Sequence, residues 1–213
     1  EINDLYDGIR SMQIDIIDYL DHLFSLQRDK EKAEEDIKER DEKIGQISKE
    51  VYRDSLTEVG SKAAYVSKIR ELNAQVDAGR KDIAIVMVDM NELKRINDLY
   101  GHKMGDNYII GCCHFVCERF KHSPVFRIGG DEFVVLLQGV DYNDRHALAA
   151  SLKEDYKKAS SNKNAAPWER YSAAVGMGEL SSDDRTLDLV FKRADKAMYV
   201  DKKSYKQEHG SYR

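Results

Sequence analysis

Proline is nearly missing from this chain: its 213 residues include two, Pro124 and Pro167. Long extended linkers are therefore not expected, since those draw on proline, or on glycine and serine in bulk. Tryptophan occurs once, at Trp168, and reads as a packing residue. Cysteine is scarce as well, and Cys112, Cys113 and Cys117 fall within six residues of one another. They form no Cys-x-x-Cys pair, and His114 and His122 do not complete a zinc-ligand spacing. The pattern excludes a finger or ribbon and reads as buried thiols in a reducing cytoplasm. No apolar run nears the ~18 residues of a membrane span, and no signal peptide is present. Positive charge is not in excess either. Lys and Arg number 34 against 39 Asp and Glu, a net charge of −5, which argues against broad nucleic-acid binding. Any anionic substrate must be met by a metal ion and a few local cations.

What is present begins with a heptad. From Ile2 to Val51 apolar side chains recur at alternating steps of three and four, through Leu5, Ile9, Met12, Ile16, Tyr19, Leu23, Leu26, Ala33, Ile37, Ile44 and Ile47. That period predicts a parallel coiled coil rather than a helix lying on a globular core, with a length of roughly 75 Å. Lys30 and Arg40 interrupt the seam, and in a parallel pair Asp29 and Asp41 of the partner would offset them. Ile17, Leu20 and Phe24 add a second apolar stripe near the start. The chain opens on Glu1 rather than Met, so it is expected to be a piece of a longer protein. A sensor or membrane segment is expected ahead of it.

After Val51 the texture changes. Ile83–Val88 is a buried-type strand ending in Asp89, and Glu92–Tyr100 reads as a helix closed by Gly101. Asn107–Phe120 is a second helix. Val125–Ile128 and Phe133–Leu137 are two strands around the turn Gly129-Gly130-Asp131-Glu132. Asn143–Ala159 reads as a helix, Tyr171–Met177 as a strand and Leu187–Lys203 as a helix, with Asp183 and Asp184 as its N-terminal cap. The order α-β-α-α-β-β-α-β-α predicts an α+β sandwich, with helices flanking a mainly antiparallel sheet. Three parts follow: a coiled-coil helix over 1–51, a globular domain over 52–206 and a tail over 207–213.

Two adjacent acids at the mouth of an apolar strand, with no Lys or Arg among the two residues on either side, are costly in a plain turn. If the 83–88 strand pairs beside the hairpin, Asp89 converges on Asp131 and Glu132. Oxygen-only carboxylate ligation suits Mg²⁺, with nucleotide phosphates completing its shell. The backbone N–H groups of Met90, Asn91, Glu92 and Leu93 are expected free at a helix start, which attracts phosphate. Alone, Asp89 or Asn91 could equally be only a helix cap.

These residues resemble a known family. Gly129-Gly130-Asp131-Glu132-Phe133 is the signature of the GGDEF family, the diguanylate cyclases. Asp54-Ser55-Leu56-Thr57 resembles its opening D-x-L-T. The segment from Asp89 to Asp98 resembles D-x-N-x-L-K-x-I-N-D, and Tyr100 to Asp106 resembles Y-G-H-x-x-G-D. Ala194 to Lys202 resembles A-D-x-A-M-Y-x-x-K, so the likeness runs over about residues 52 to 206. It implies a palm-like fold, similar to adenylyl cyclases and polymerases. It also implies condensation of two GTP into cyclic di-GMP with release of two pyrophosphates. Each domain would hold one GTP, and the coil would bring the second domain within reach as a homodimer. Asp89 and Asp131, with the Met90 carbonyl, would hold Mg²⁺ or Mn²⁺. Asp131 or Glu132 would assist deprotonation of the 3′-hydroxyl, and the choice between them stays open. Asn97 and Asp106 would read guanine, while Leu93, Lys94, Lys202 and Lys206 would meet the phosphates.

The chain also departs from the family pattern. Where relatives continue with G-L-x-N-R, it has Glu58-Val59-Gly60-Ser61-Lys62. Lys206 stands where arginine is usual and loses the bidentate grip of a guanidinium. The R-x-x-D of a product-inhibition site falls on Phe120 and Ser123, so that feedback site is expected to be absent. A silent GTP-binding module is the rival expectation, disfavoured because Asp89, Asp131 and Glu132 are all present.

Overall fold

A computed structural model describes residues 2–210 of the chain. The side chains of Ile2, Leu5 and Ile9, at the head of the heptad stripe, lie outside the described residues. The chain divides into two compact units, Glu1–Lys49 and Glu50–Arg213.

Helix α1 runs over Ile2–Tyr52 and supplies the whole of the first unit. Pairs four residues apart line it: Lys43 meets Glu39 at 2.6 Å, and Lys30 meets Glu34 of its own helix at 3.7 Å. Such pairs contribute only tenths of a kcal/mol each, about 0.2–0.5. Meanwhile Met12, Ile16, Tyr19, Leu23, Leu26, Ile37, Ile44 and Ile47 remain exposed along the helix.

The second unit is a four-stranded sheet between two helical layers. Its elements are α2 (Lys62–Asp77), β1 (Ala84–Met90), α3 (Leu93–Tyr100), α4 (His102–Arg119), β2 (Val125–Arg127), β3 (Glu132–Leu137), α5 (Gly139–Asn143), α6 (Arg145–Ser161), a 3₁₀ turn (Pro167–Glu169), β4 (Ala173–Glu179) and α7 (Leu187–His209). The sheet order is β2-β3-β1-β4, and every pairing is antiparallel. The expected α+β architecture is therefore present.

Central strand β1 is buried along its whole length, which explains its unbroken apolar run. Successive side chains alternate between two cores. Ala84, Val86, Val88 and Met90 join Tyr108, Cys112, Val116, Leu152 and Tyr156 on the α4–α6 side. Ile85 and Met87 join Leu72, Leu187, Val190, Ala194 and Met198 on the α2–α7 side. Asp89 follows the second parity and so falls on the α7 side.

On β4, residues Ala174, Gly176 and Gly178 stand opposite Asp89, Met87 and Ile85. Their lack of bulk lets α7 lie against the sheet. A Cβ at Gly176 would sit 2.0 Å from the Met198 nitrogen and 2.3 Å from the Ala194 oxygen.

Several expectations need correction. Helix α2 was not anticipated; its single fully buried residue is Leu72, and only partly buried Tyr65, Ile69 and Val76 accompany it, so the periodic signal is faint. Ser61 caps it, its Oγ accepting from the Ala64 N–H at 3.3 Å. The helix expected over 143–159 is α6, shifted two residues on to Arg145–Ser161, and the short helix α5 ahead of it was not anticipated. Helix α7 extends to His209, past the expected stop at Lys203. Asp183 and Asp184 do not cap it; Thr186 holds that position. Asp184 is buried instead, ion-paired with Arg193 and accepting from the Ser181 N–H at 2.7 Å.

The lead-in between α1 and α2 is a knotted turn. The Asp54 carboxylate accepts from the Thr57 N–H at 2.9 Å and the Thr57 hydroxyl at 2.7 Å, and from Arg127 at 3.1 Å. Burial pushes the Asp54 carboxyl upward, but the Thr57 and Arg127 hydrogen bonds outweigh it and hold the group below its ordinary range. Glu58 in this turn has φ +60°, a left-handed conformation that disfavours a Cβ. It occupies the position where the resemblance has glycine. Glu58→Gly should therefore raise stability by about 0.5–1 kcal/mol. Thermal unfolding would register this as a gain of roughly 1–4 °C, and an unchanged or lower midpoint would contradict it.

Candidate nucleotide-phosphate site

Asp89 and Glu132 are directly opposed across the β1–β3 ladder. Directly opposed residues present their side chains on one face, with Cβ atoms about 5 Å apart. Their strands cannot move apart there, because the Met90 N–H donates to the Asp131 carbonyl at 2.9 Å. The Gly129-Gly130 turn lets the hairpin close over this end, with the Ile128 N–H donating to the Glu132 carbonyl at 3.0 Å. Arg127 braces the turn from outside, donating to the Gly130 carbonyl at 2.7 Å.

Three carboxylates so placed repel one another. Burial pushes the Asp89 carboxyl above its ordinary range, and Asp131 adds to the push, while the Lys202 ammonium of α7 opposes it. Lys202 and Asp89 form an ion pair. Burial likewise raises Glu132, with Asp89, Asp131 and Asp195 contributing.

A cavity of about 160 Å³ opens beside these acids. Met90, Leu93, Lys94, Asp131, Lys202 and Lys206 all line it. Of the expected site residues, Asp89 sits behind the cavity on its Lys202 pair, and Glu132 lies beside it on the same sheet face. Asn97 and Asp106 are not on its wall. Asn97 lies instead where α3 packs on α4, since a Cβ at Gly105 would fall 1.8 Å from its Oδ1, and Asp106 follows Gly105 on α4 with its side chain exposed.

The helix start differs in detail from expectation. β1 runs through Met90, and α3 begins at Leu93 after Glu92, whose φ is +64°. The Met90 N–H is engaged with Asp131, and the Asn91 N–H donates to the Ser172 carbonyl at 2.9 Å. Those two are thus not free for a phosphate. The N–H groups of the first helical turn, Leu93 to Arg95, precede the first intrahelical bond, which runs from Ile96 to Glu92. Asn91 is no cap either. It is buried, its Nδ2 donating to the Ser172 Oγ at 3.0 Å, and its carbonyl accepts from the Tyr108 hydroxyl at 2.9 Å. This knot of β1, α4 and the start of β4 holds the loop that leads into α3.

Arg95 and Tyr205 also line the cavity and were not anticipated. Tyr205 lies three past Lys202 on α7, a helical interval that was an available signal, whereas Arg95, adjacent to Lys94, had none of that kind.

Among the described residues, no three His, Cys, Asp or Glu side chains are grouped as a metal cage. Mg²⁺ does not need one, since it takes one or two carboxylates and completes its shell with water and phosphate. The donors at hand are oxygen only, and their mutual repulsion is what a divalent cation relieves, so these residues fit such an ion.

An antiparallel sheet of four strands flanked by helices is the nucleotidyl cyclase-like architecture, and here acids at the adjoining ends of β1 and β3 stand near lysines of α7. The family described as "Diguanylate cyclase, GGDEF domain" matches residues 51–208. The chain belongs to the GGDEF family. It is similar in structure to the coiled coil and GGDEF domain of DgcB from Caulobacter crescentus, solved with c-di-GMP. That likeness has a TM-score of 0.71 at 20% identity and covers 84% of this chain and 95% of that one. It is also similar to the diguanylate cyclase SiaD of Pseudomonas aeruginosa, solved with its activator SiaC, with a TM-score of 0.62 at 21% identity over 95% of this chain and 80% of that one. Among curated proteins it is 28% identical over 154 residues, 70% of this chain, to an uncharacterized membrane protein of Staphylococcus aureus (strain USA300). The match takes in 42% of that relative, so the chain spans less than half its length. No described helix of the chain is long and apolar enough to cross a membrane.

Proposed function

We propose that this chain is a diguanylate cyclase, condensing two GTP into cyclic di-GMP and two pyrophosphates. The observation that carries the reading is a cavity lined by Asp131, Lys94, Lys202 and Lys206, with Asp89, paired to Lys202, and Glu132 opposed to each other at the adjoining ends of β1 and β3. Incubation with GTP and Mg²⁺, followed by separation and mass analysis of the products, tests it. Cyclic di-GMP supports the reading; GTP bound but unconverted would instead favour a silent binding module.

In this reading Asp89, Asp131 and the Met90 carbonyl hold Mg²⁺, or Mn²⁺ in its place. A bound divalent ion neutralises phosphate charge and polarises the attacked phosphorus. Lys202 and Lys206 grip the phosphates from α7, and Lys94 with the Leu93 N–H does so from the start of α3. Asp131 or Glu132 receives the proton of the 3′-hydroxyl, and burial holds the Glu132 carboxyl above its ordinary range. Asn97 and Asp106 read guanine, because a carboxylate accepts from the N1–H and N2–H₂ edge that adenine lacks. Phe120 and Ser123 are both buried, which supports the absence of a product-feedback site at those positions.

One domain supplies half of a reaction between two nucleotides. The exposed heptad stripe of α1 supports a second copy as the partner, with coil register setting how the two active sites meet. A flexible tether gives an effective concentration of order millimolar. A variant beginning at Val51 should therefore lose most turnover at low micromolar protein, and its rate should rise as the square of its concentration. The full chain should stay first order; equal orders for the two would exclude the coil as the dimerising element. A preceding sensor and membrane tethering of the whole protein belong to the same proposal, in keeping with the curated relative's description as a membrane protein.

A further inference from the structure

The lead-in turn and helix α4 enclose a cleft that the cyclase reading leaves unused. Its volume is about 490 Å³, within the range of small-molecule sites. Leu56, Thr57 and Glu58 form one wall, and Ile110, Cys113 and Cys117 the other. Ile110 is apolar yet 43% exposed here. The charges that face the cleft are Glu58 from the turn, His114 and Glu118 from α4, and Lys121 past the Phe120 that ends it. Two acids face one lysine, which disfavours an anion, and with Leu56 and Ile110 in the walls a neutral and largely apolar occupant fits best.

The two thiols are unequal. Their sulfurs lie 3.9 Å apart, one helical turn from each other. Cys113 is buried, and its contact with Cys117, in which either sulfur can donate, together with burial disfavours a Cys113 thiolate. Cys117 is only half-buried, and the Cys113 hydrogen bond, opposed by burial and aided by His114, holds its thiol below the ordinary range. A thiolate at the mouth of an apolar cleft is the reactive form of cysteine.

We propose that this cleft is a second ligand site, which captures small, neutral carbon electrophiles of the α,β-unsaturated carbonyl class on Cys117. The sulfur bonds to the β-carbon, the carbon–carbon π bond breaks, and the thiol proton passes to the α-carbon. Nothing leaves and no co-reactant is consumed. The adduct takes away the thiol partner of Cys113 and fills space against Thr57. Thr57 shares the cleft wall with both thiols. From there Thr57 donates to Asp54 at 2.7 Å, Arg127 donates to Asp54 at 3.1 Å, and Arg127 donates to the Gly130 carbonyl at 2.7 Å. A run of hydrogen bonds that starts at Thr57, on the cleft wall, thus leads to the turn that presents Asp131 and Glu132. The site stands without the cyclase reading; only its effect on turnover rests on that reading.

The test uses the full chain and N-phenylmaleimide. Intact mass and peptide mapping should show one adduct, on Cys117, formed at a rate that saturates with reagent concentration as binding precedes the bond. Hydrogen–deuterium exchange in the adduct should quicken several-fold over 54–60 and 128–132. Cys117→Ser treated alike should show neither change, and Thr57→Val should take the adduct without the change at 128–132. First modification at Cys112 or Cys113, a rate linear in reagent, or unaltered exchange in the adduct would each overturn the proposal. Cyclic di-GMP is read in the same samples. An untreated chain that makes none counts against the cyclase reading and leaves the adduct results standing.

Discussion

Asp131→Ala should lower cyclic di-GMP formation by about a thousandfold or more while leaving the fold as stable as before, or slightly more so. The first half follows from the proposed role. Removing a ligand and charge partner of a phosphate-activating cation costs several kcal/mol of transition-state stabilisation, and about 4 kcal/mol corresponds to a thousandfold. The second half follows from the charges beside Asp131. Asp131 pushes both Asp89 and Glu132 upward, so its charge is a burden on the folded state. Its backbone carbonyl, which holds the Met90 N–H, survives the substitution. The measurement pairs product formation at saturating GTP with a thermal unfolding midpoint. Lost turnover accompanied by a lowered midpoint would mean that the residue serves the fold, and retained turnover would remove Asp131 from the chemistry.

Gly176→Ala should be the most damaging single-methyl change in the globular unit. The added Cβ would meet backbone atoms of α7 at 2.0 and 2.3 Å, closer than any side-chain adjustment can relieve. Either the helix lifts from the sheet or the strand twists away, and overpacking of this kind costs roughly 1–3 kcal/mol, more where backbone is the obstacle. At about 2–4 °C per kcal/mol the midpoint should fall by roughly 5–10 °C. Because α7 carries Lys202 and Lys206, a shift of the helix should also weaken GTP binding, measurable by titration at a temperature where the variant is still folded. The same substitution at Gly130, where nothing lies within 4 Å of the added atom, is the steric control for the midpoint. Equal midpoints for the two variants would sink the close-approach argument.

The sheet and the acids were legible in the sequence because their signals are local. Ile83 to Val88 is too short and too uniformly apolar for an amphipathic helix, and two glycines between β-rich runs announce a hairpin. The convergence of Asp89 with Asp131 needed one assumption, that β1 lies beside that hairpin, and the β1–β3 register bears it out. Helix α2 was not legible, since it buries little and rests on one face of its neighbours. The glycine stripe of β4 was also missed. Ala174, Gly176 and Gly178 mean nothing until a helix is seen to lie on them, and that contact joins residues some twenty positions apart. The knot of Asn91, Tyr108 and Ser172 is of the same kind: each is unremarkable alone, and only the fold brings the three together.

The parity of β1 has a consequence for how such a chain can change. Its apolar residues serve both cores, so a one-residue deletion upstream that slid the strand would exchange Val86 and Val88 for Ile85 and Met87 at little expense to packing. Asp89 has no such understudy. The slide would carry its carboxylate to the α4–α6 side, away from Glu132 and from every lysine of α7. Among variants arising by small insertions and deletions near 80–84, a folded chain that has lost its acid pair is thus a short step away. Silent descendants of such a protein could arise with every residue of the signature turn still in place.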